Sequence, residues 1–255
     1  MGKMFKTVYP QSVDNDNLLK IGEMRIDINP SNNVTQFYCS ASDGISKKSV
    51  KNGYITNEAG NVNNGNTSDS ARVFLSPSST ALIIDNKYKL NELQVILSNN
   101  VSIDLSDLRY TDTMTKLNLK NSKVSGSLSD ISNMANMQSL DLSSTNVSGS
   151  LSDISNMTNL ISLRLSNTNV TGDLSELPAM LTTFSNYKGS IGGRLSSLRN
   201  IINLTHVEIG KYVTGDISDI DSLTKLNSLT IPSTITHTDA QVRALQDKGV
   251  TVAIY

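Results

Sequence analysis

From about Leu90 onward, apolar residues recur at fixed offsets with polar residues between them. Met137-x-x-Leu140-x-Leu142-x-x-Thr145 is followed by Val147, Leu151, Ile154 and Met157, and the series then begins again. The segment Val124–Asn146 (VSGSLSDISNMANMQSLDLSSTN) is nearly repeated by Val147–Asn169 (VSGSLSDISNMTNLISLRLSNTN), so the period is 23 residues. Further units start at Val170, Ile191, Val213 and Ile235, and a degenerate one (VSIDLSDL) at Val101. Such a period means a solenoid, whose units bury a core only by stacking. In each unit, Leu140 and Leu142 are predicted to point inward from a short parallel strand while Asp141 points out. Val147, Leu151, Ile154 and Met157 then line the rest of the coil.

Sibling segments are Leu90/Leu93/Val95/Ser98, Met114/Leu117/Leu119/Ser122, Leu160/Leu163/Leu165/Thr168, Leu204/Val207/Ile209 and Leu226/Leu229/Ile231/Thr234. The pattern L-x-x-L-x-L-x-x-N/T resembles the leucine-rich repeat family over about residues 90–235, with thin coils of the internalin type. The resemblance implies a strand-dominated α/β solenoid: a right-handed leucine-rich repeat, with a parallel β-sheet on one side and short 3₁₀ or turn segments on the convex side. Where that family buries an Asn, this chain has Ser122, Thr145, Thr168 and Thr234, so a hydroxyl ladder replaces the amide ladder. Gly126, Gly149, Gly172, Gly193 and Gly215 recur at one phase, which suggests a turn of positive φ or close coil-to-coil approach.

The unit Val170–Ser190 is irregular, with Leu181/Phe184/Asn186 placing a polar residue at an inward position. Five methionines, Met114, Met134, Met137, Met157 and Met180, sit at core phases and read as packing. At the far end, Thr238–Asp247 starts with a capping residue and puts Val242 and Leu245 on one face; Lys248-Gly249 stops the helix before a strand at Val250–Tyr255. This helix–strand pair is predicted to cap the solenoid. The expected organisation is a small β-rich N-terminal domain over 1–88 that anchors or caps, the repeats over 89–237, and the C-terminal cap over 238–255.

Within the first region, 24–28 (MRIDI) and 34–38 (VTQFY) alternate as strands do, and 72–75 and 81–85 read as two more. Lys51-Asn52-Gly53-Tyr54 is a hairpin turn signal. The polar stretch 57–70 is expected to be a mobile loop.

Composition narrows the chemistry. Basic and acidic residues balance at 22 and 23, so nonspecific binding to nucleic acid or a membrane surface has little electrostatic drive. Neither a signal-peptide core nor a stretch of membrane-spanning length occurs in the chain as written, so no membrane insertion is expected. Cys39 is the single cysteine and reads as an ordinary strand residue. The Asn-x-Ser/Thr triplets at Asn33, Asn66, Asn100, Asn146, Asn156, Asn169 and Asn203 read as a by-product of composition. The two histidines, His206 and His237, lie far from Cys39 in sequence, and no phosphate loop, dinucleotide fingerprint or metalloprotease motif is present. Asp14-Asn15-Asp16-Asn17 is similar to the start of a calcium loop but lacks its glycine and later acid. The expectation is a protein that is not an enzyme and carries no cofactor or metal.

The functional expectation therefore falls on the concave strand face. Its central column reads Asn118, Asp141, Arg164, Ser185, Glu208 and Thr230, flanked by Lys116, Lys120, Gln138, Tyr187, His206 and Lys211. The N-terminal NLLKIGEMRIDI, Asn-rich strands and Val-Thr-Gly-Asp-Ile-Ser units look like proteins of Bacteroidetes and their phages. That resemblance implies a phage structural protein: a head- or tail-fibre accessory of the virion, made in the host cytoplasm, with the repeats as an adhesion or protein-contact module. Its partners would be a protein or cell-surface glycan and, through residues 1–88, other virion proteins, with a homo-oligomer among the expected states. The alternative is a soluble cytoplasmic leucine-rich repeat scaffold. A third is a small hydrolase using Asp14 or Asp43, with the repeats recognising substrate.

Overall fold

A computed structural model describes residues 24–28, 35–41, 48–51, 55–56, 62–63, 71–75, 81–84, 90–97, 101–109 and 111–255. The chain opens with strands β1 (Met24–Ile28), β2 (Thr35–Ala41), β3 (Lys48–Lys51), β4 (Ile55–Thr56), β5 (Val62–Asn63), β6 (Ala71–Leu75) and β7 (Ala81–Ile84). Strands expected at 24–28, 34–38, 72–75 and 81–85 are therefore present, that at 34–38 shifted and extended to 41. The hairpin expected at Asn52-Gly53 is not: its turn lies outside the described residues, and the flanking strands join different sheets. β3 pairs with β7, whereas β4 pairs with β5 and β6. The expected loop over 57–70 and the acidic residues Asp14 and Asp43 lie outside the described residues, apart from β5.

The repeats follow. β8 (Leu90–Leu97), β9 (Val101–Asp104), β10 (Lys116–Asn118), β11 (Lys123–Ser125), β12 (Ser139–Asp141), β13 (Ser162–Arg164), β14 (Thr183–Ser185), β15 (Gly193–Arg194), β16 (His206–Glu208), β17 (Val213–Thr214), β18 (Ser228–Ile231) and β19 (Thr251–Ile254) alternate with 3₁₀ turns. One strand per coil enters a long sheet of order β19-β18-β16-β14-β13-β12-β10-β8-β2-β6-β4-β5. From β8 to β19 the pairing is parallel, with Leu93, Leu117, Leu140, Leu163, Phe184, Val207, Leu229 and Val252 in one register column. This column faces inward because the repeat places an apolar residue at every second strand position.

The opposite wall departs from simple turns. A second row of parallel contacts joins successive coils there, as β9 with β11, β15 with β17, and the bridges Ser127↔Ser148, Ser150↔Thr171, Asp173↔Gly192 and Asp216↔Thr236. β9 also pairs antiparallel with β1, which continues through β7 to β3. The N-terminal strands thus extend both walls of the solenoid rather than one.

The recurring Ser-Leu-Ser-Asp-Ile explains the 3₁₀ turns. Ser127 accepts from the Ser129 amide, and Asp130 reaches back to the Ser127 amide, so orphan N–H groups at the turn's start are satisfied reciprocally. Ser150/Asp153, Asp173/Glu176 and Asp216/Asp219 repeat the device, whereas Arg194 makes no side-chain cap. Gly149 shows why glycine precedes it. Its φ is +107°, and a Cβ there would lie 2.7 Å from Ser127 Oγ and 2.9 Å from the Leu128 nitrogen.

The core is the sum of these phases: Val124, Leu128, Ile131, Met134, Met137, Leu140 and Leu142 are fully buried, and nearly all their repeats are buried too. Each such side chain contributes about 1.5–3 kcal/mol by leaving water. Met180 is the exception among the five methionines expected in the core, at 56% exposure. The unit from Val170 is two residues shorter, and the deletion falls between Leu177 and Leu181. Leu181 therefore takes the inward slot, and Met180 loses its core phase.

The hydroxyl ladder is partly realised. Thr145 and Thr168 donate to the carbonyls of Leu142 and Leu165, both at 2.7 Å. Ser122 makes a longer contact to the Lys120 carbonyl, 3.5 Å. Thr234 is exposed and does not belong: the chain there turns after buried Pro232 to meet the final strand, with Ser233 N–H donating to the Tyr255 carbonyl. Amides do bridge coils, but at another phase, since Asn136 and Asn159 donate to the carbonyls of Asp112 and Ala135. Helix α1 (Asp239–Asp247) is capped by Thr238 and Gln241, buries Leu245, and ends at Gly249 with φ +87°. Val242 is half-buried beside Leu245 and packs on the core.

A candidate binding face on the long sheet

Parallel register turns outward residues into straight columns along the sheet. Asn118, Asp141, Arg164, Ser185, Glu208 and Thr230 form one of them, in adjacent register from β10 to β18. Lys116 and His206 stand in the next column, two residues earlier in each coil, and both are exposed. Gln138 lies one residue before β12, exposed, and its carbonyl accepts the amides of Ile161 and Ser162. Lys120 and Tyr187 fall two residues after the central column, whereas Lys211 is one residue further on. Its ammonium sits 5.0 Å over the Tyr212 ring, beyond the C-terminal end of β16.

Two of these side chains are less open than expected. Asp141 and Ser185 are 7% and 6% exposed. Asp141 is held by accepting the Ser143 amide at 3.1 Å. Ser185 is held within a hydroxyl chain: Ser166 Oγ lies 2.5 Å from Ser185 Oγ, and Ser185 donates to the Glu208 carboxylate. The Tyr187 amide donates to Ser166 Oγ at 3.0 Å, tying this chain to the aromatic column. Arg164 donates to Ser162 Oγ at 2.6 Å.

The sequence pattern missed Tyr255. Its ring packs edge-on against Tyr187, with centroids 4.7 Å apart, and its hydroxyl donates to the Ile209 carbonyl at 2.8 Å. Burial raises the phenol's pKa first, and Tyr187 and Glu208 add to the rise, against an opposing hydrogen bond from the Lys188 backbone. Lys188 itself places its ammonium 5.2 Å from the Tyr187 ring centroid. The signal was available: Tyr187, Gly210, Pro232 and Tyr255 share one phase, which brings the two tyrosines onto one column of the sheet.

Arg164, Ser166, Ser185, Tyr187, Glu208 and Tyr255 thus form one patch of a cation, two hydroxyls, a carboxylate and an aromatic pair. Lys116, Asn118, Lys120 and Gln138 lie on earlier coils, outside it. The Ser185 hydroxyl, 6% exposed, has Ser166 and Glu208 as partners, and His206 Nδ1 pairs with Thr205 Oγ1 at 2.9 Å rather than with Ser185. The groups of the patch suit recognition of polar and apolar side chains together. Among the described residues, no three His, Cys, Asp or Glu side chains gather as a metal site, and no helix is long and apolar enough to cross a membrane.

No protein-family model matches the chain, and no curated protein matches it. Solved structures do. The ectodomain of the receptor kinase HAESA from Arabidopsis, in complex with an extended IDA peptide hormone, matches at 18% identity and TM-score 0.50, over 65% of this chain and 33% of that one. An internalin, inlF, of Listeria monocytogenes matches at 22% identity and TM-score 0.44, over 60% and 52%. Internalin C2 of the same organism matches at 18% identity and TM-score 0.47, over 71% and 87%. The chain spans about half of the inlF structure and a third of the HAESA ectodomain. With the parallel ladder described above, the likeness to HAESA carries the architecture: this chain has the leucine-rich repeat fold.

Proposed function

We propose that the chain is a non-enzymatic interaction module whose long-sheet face, at the patch of Arg164, Ser185, Tyr187 and Glu208, binds a polypeptide. The observation that carries this is the fixed state of the patch before any ligand arrives. Its hydroxyls and carboxylate hold one another, and Tyr187 is pinned by Tyr255, so little side-chain freedom is lost on binding. An extended segment laid across the strands would meet Arg164 and Glu208 with opposite charge two coils apart. The peptide seen with the HAESA ectodomain is the precedent for this partner class.

The finer reading places the module on a virion as a fibre-type accessory, with a protein or cell-surface glycan as target. Its support is the diffuse sequence resemblance to Bacteroidetes phage proteins; the alternative is a soluble scaffold. Co-sedimentation with purified particles separates the two.

The test of the binding face is selection from a displayed library of random peptides. Selected peptides should bind the native chain and lose at least about tenfold in affinity on Arg164→Glu or Glu208→Lys. Equal binding to all three proteins would overturn the assignment.

A further inference from the structure

The last strand in the chain, β19, stands at one end of the long sheet. Among the described residues, β19 pairs with β18 alone, so its second edge carries backbone groups without a strand partner. Which groups these are follows from the register. The Thr251 amide donates to the Asn227 carbonyl, the Tyr255 amide donates to the Ile231 carbonyl, and the Tyr255 carbonyl accepts from Ser233. In a parallel ladder the bonding residues alternate. Residues 251, 253 and 255 therefore face β18, and Val252 and Ile254 direct N–H and C=O away from it.

Open edges are usually blunted by charge, proline or a bulge. Here Val250–Tyr255 (VTVAIY) contains neither a charged residue nor a proline. Ile254 is 39% exposed although it stands in register with fully buried Ile231. Tyr255 is fixed at both its ring and its backbone, which holds the edge straight.

We propose that β19 is a pairing edge at which two copies of this chain join antiparallel about a two-fold axis through Ala253. The strand matches itself in that register. Val252 and Ile254 face each other as hydrogen-bonded pairs, using the outward groups identified above. Ala253 meets its own copy as a non-hydrogen-bonded pair, where the backbones approach to about 4.5 Å and a small side chain fits. Thr251 lies opposite Tyr255. An isologous contact sets every charged side chain near the axis against its like, and this segment has no charged side chain. On the core side, Val252 and Ile254 of the two copies extend the apolar column across the axis and cover the exposed Ile254.

Sedimentation equilibrium of the full chain tests this, run up to about 0.5 mM, where even a Kd near 0.1 mM shows. The native chain should shift from 27.6 kDa to twice that mass with concentration. Ile254→Pro removes an outward N–H while sparing the bonds to β18, and should raise the dimer midpoint at least about tenfold with unchanged circular dichroism. Ala253→Glu and Ala253→Lys should each be monomeric alone, and should dimerise when mixed. A native chain that stays at 27.6 kDa, or a dimer indifferent to these substitutions, overturns the proposal. The readout needs no ligand, so it is independent of the binding face.

Discussion

Tyr255 packs edge-on against Tyr187 at 4.7 Å between ring centroids, reaching back over Pro232 and Gly210 from the final strand. This contact locks the final strand to the coil that carries the irregular unit. It also gives the candidate patch its aromatic pair, so the final strand and the patch are coupled in one pair of rings.

Replacing Tyr255 by Phe keeps the ring contact and removes the hydroxyl that donates to Ile209. Urea unfolding should show a loss of about 1 kcal/mol. Tyr255→Ala should cost more, because the aromatic contact goes too.

The same phenol has a raised pKa in the folded chain, chiefly through burial. A group whose folded pKa lies above its unfolded value contributes stability that is lost as pH rises through the folded value. Stability should therefore fall above about pH 10, the ordinary tyrosine value, and Tyr255→Phe should flatten that alkaline limb. Equal slopes in the two proteins would contradict the assignment.

The acid side has the opposite sign. Asp104 and Asp173 are lowered, each first by a side-chain hydrogen bond, from Ser106 and Ser175 respectively. Their contribution is present above the unfolded carboxylate value and is lost as pH falls through about 4 and below. Asp104→Asn combined with Asp173→Asn should preserve the turn caps and make the acid unfolding limb shallower, measured by circular dichroism against pH.

Backbone strain gives a stabilising substitution. Asn121, Ser144, Asn167 and Lys188 occupy one phase with φ between 54° and 58°. Asparagine tolerates this left-handed region better than serine. Ser144→Asn should raise stability by about 0.5 kcal/mol in urea titration, since it installs what the neighbouring coils already have.

Gly149→Ala should do the reverse. A Cβ there meets Ser127 and the Leu128 nitrogen under 3.0 Å, at φ +107°. The cost should exceed about 2 kcal/mol. Gly249→Ala is the control, because it has positive φ but nothing within 4 Å, and should cost about 1 kcal/mol from the backbone alone.

The architecture was legible because the repeat states it many times over. Leu140, Leu142, Val147, Leu151 and Ile154 were assignable to the interior from spacing alone, and the capped 3₁₀ turns are written in Ser-Leu-Ser-Asp-Ile. Local rules failed where partners came from elsewhere. Asn52-Gly53 signals a hairpin, yet β3 and β4 each take a distant partner. Met180 sits at a core phase by counting, but a two-residue deletion shifts it outward. The second row of parallel bridges is made by backbone groups of Ser127, Ser150, Asp173 and Asp216, which no apolar pattern marks. Tyr255 was missed because it acts across two intervening coils, on a residue 68 positions earlier in the chain.

The binding face is tested most directly by amide hydrogen exchange on the full chain, with and without a library-selected peptide at saturation. The account predicts slowed exchange confined to 162–168, 183–189 and 206–211. Protection confined instead to the 3₁₀ turns at 128–131, 151–154 and 217–220 would contradict it, and would move the interaction to the opposite wall.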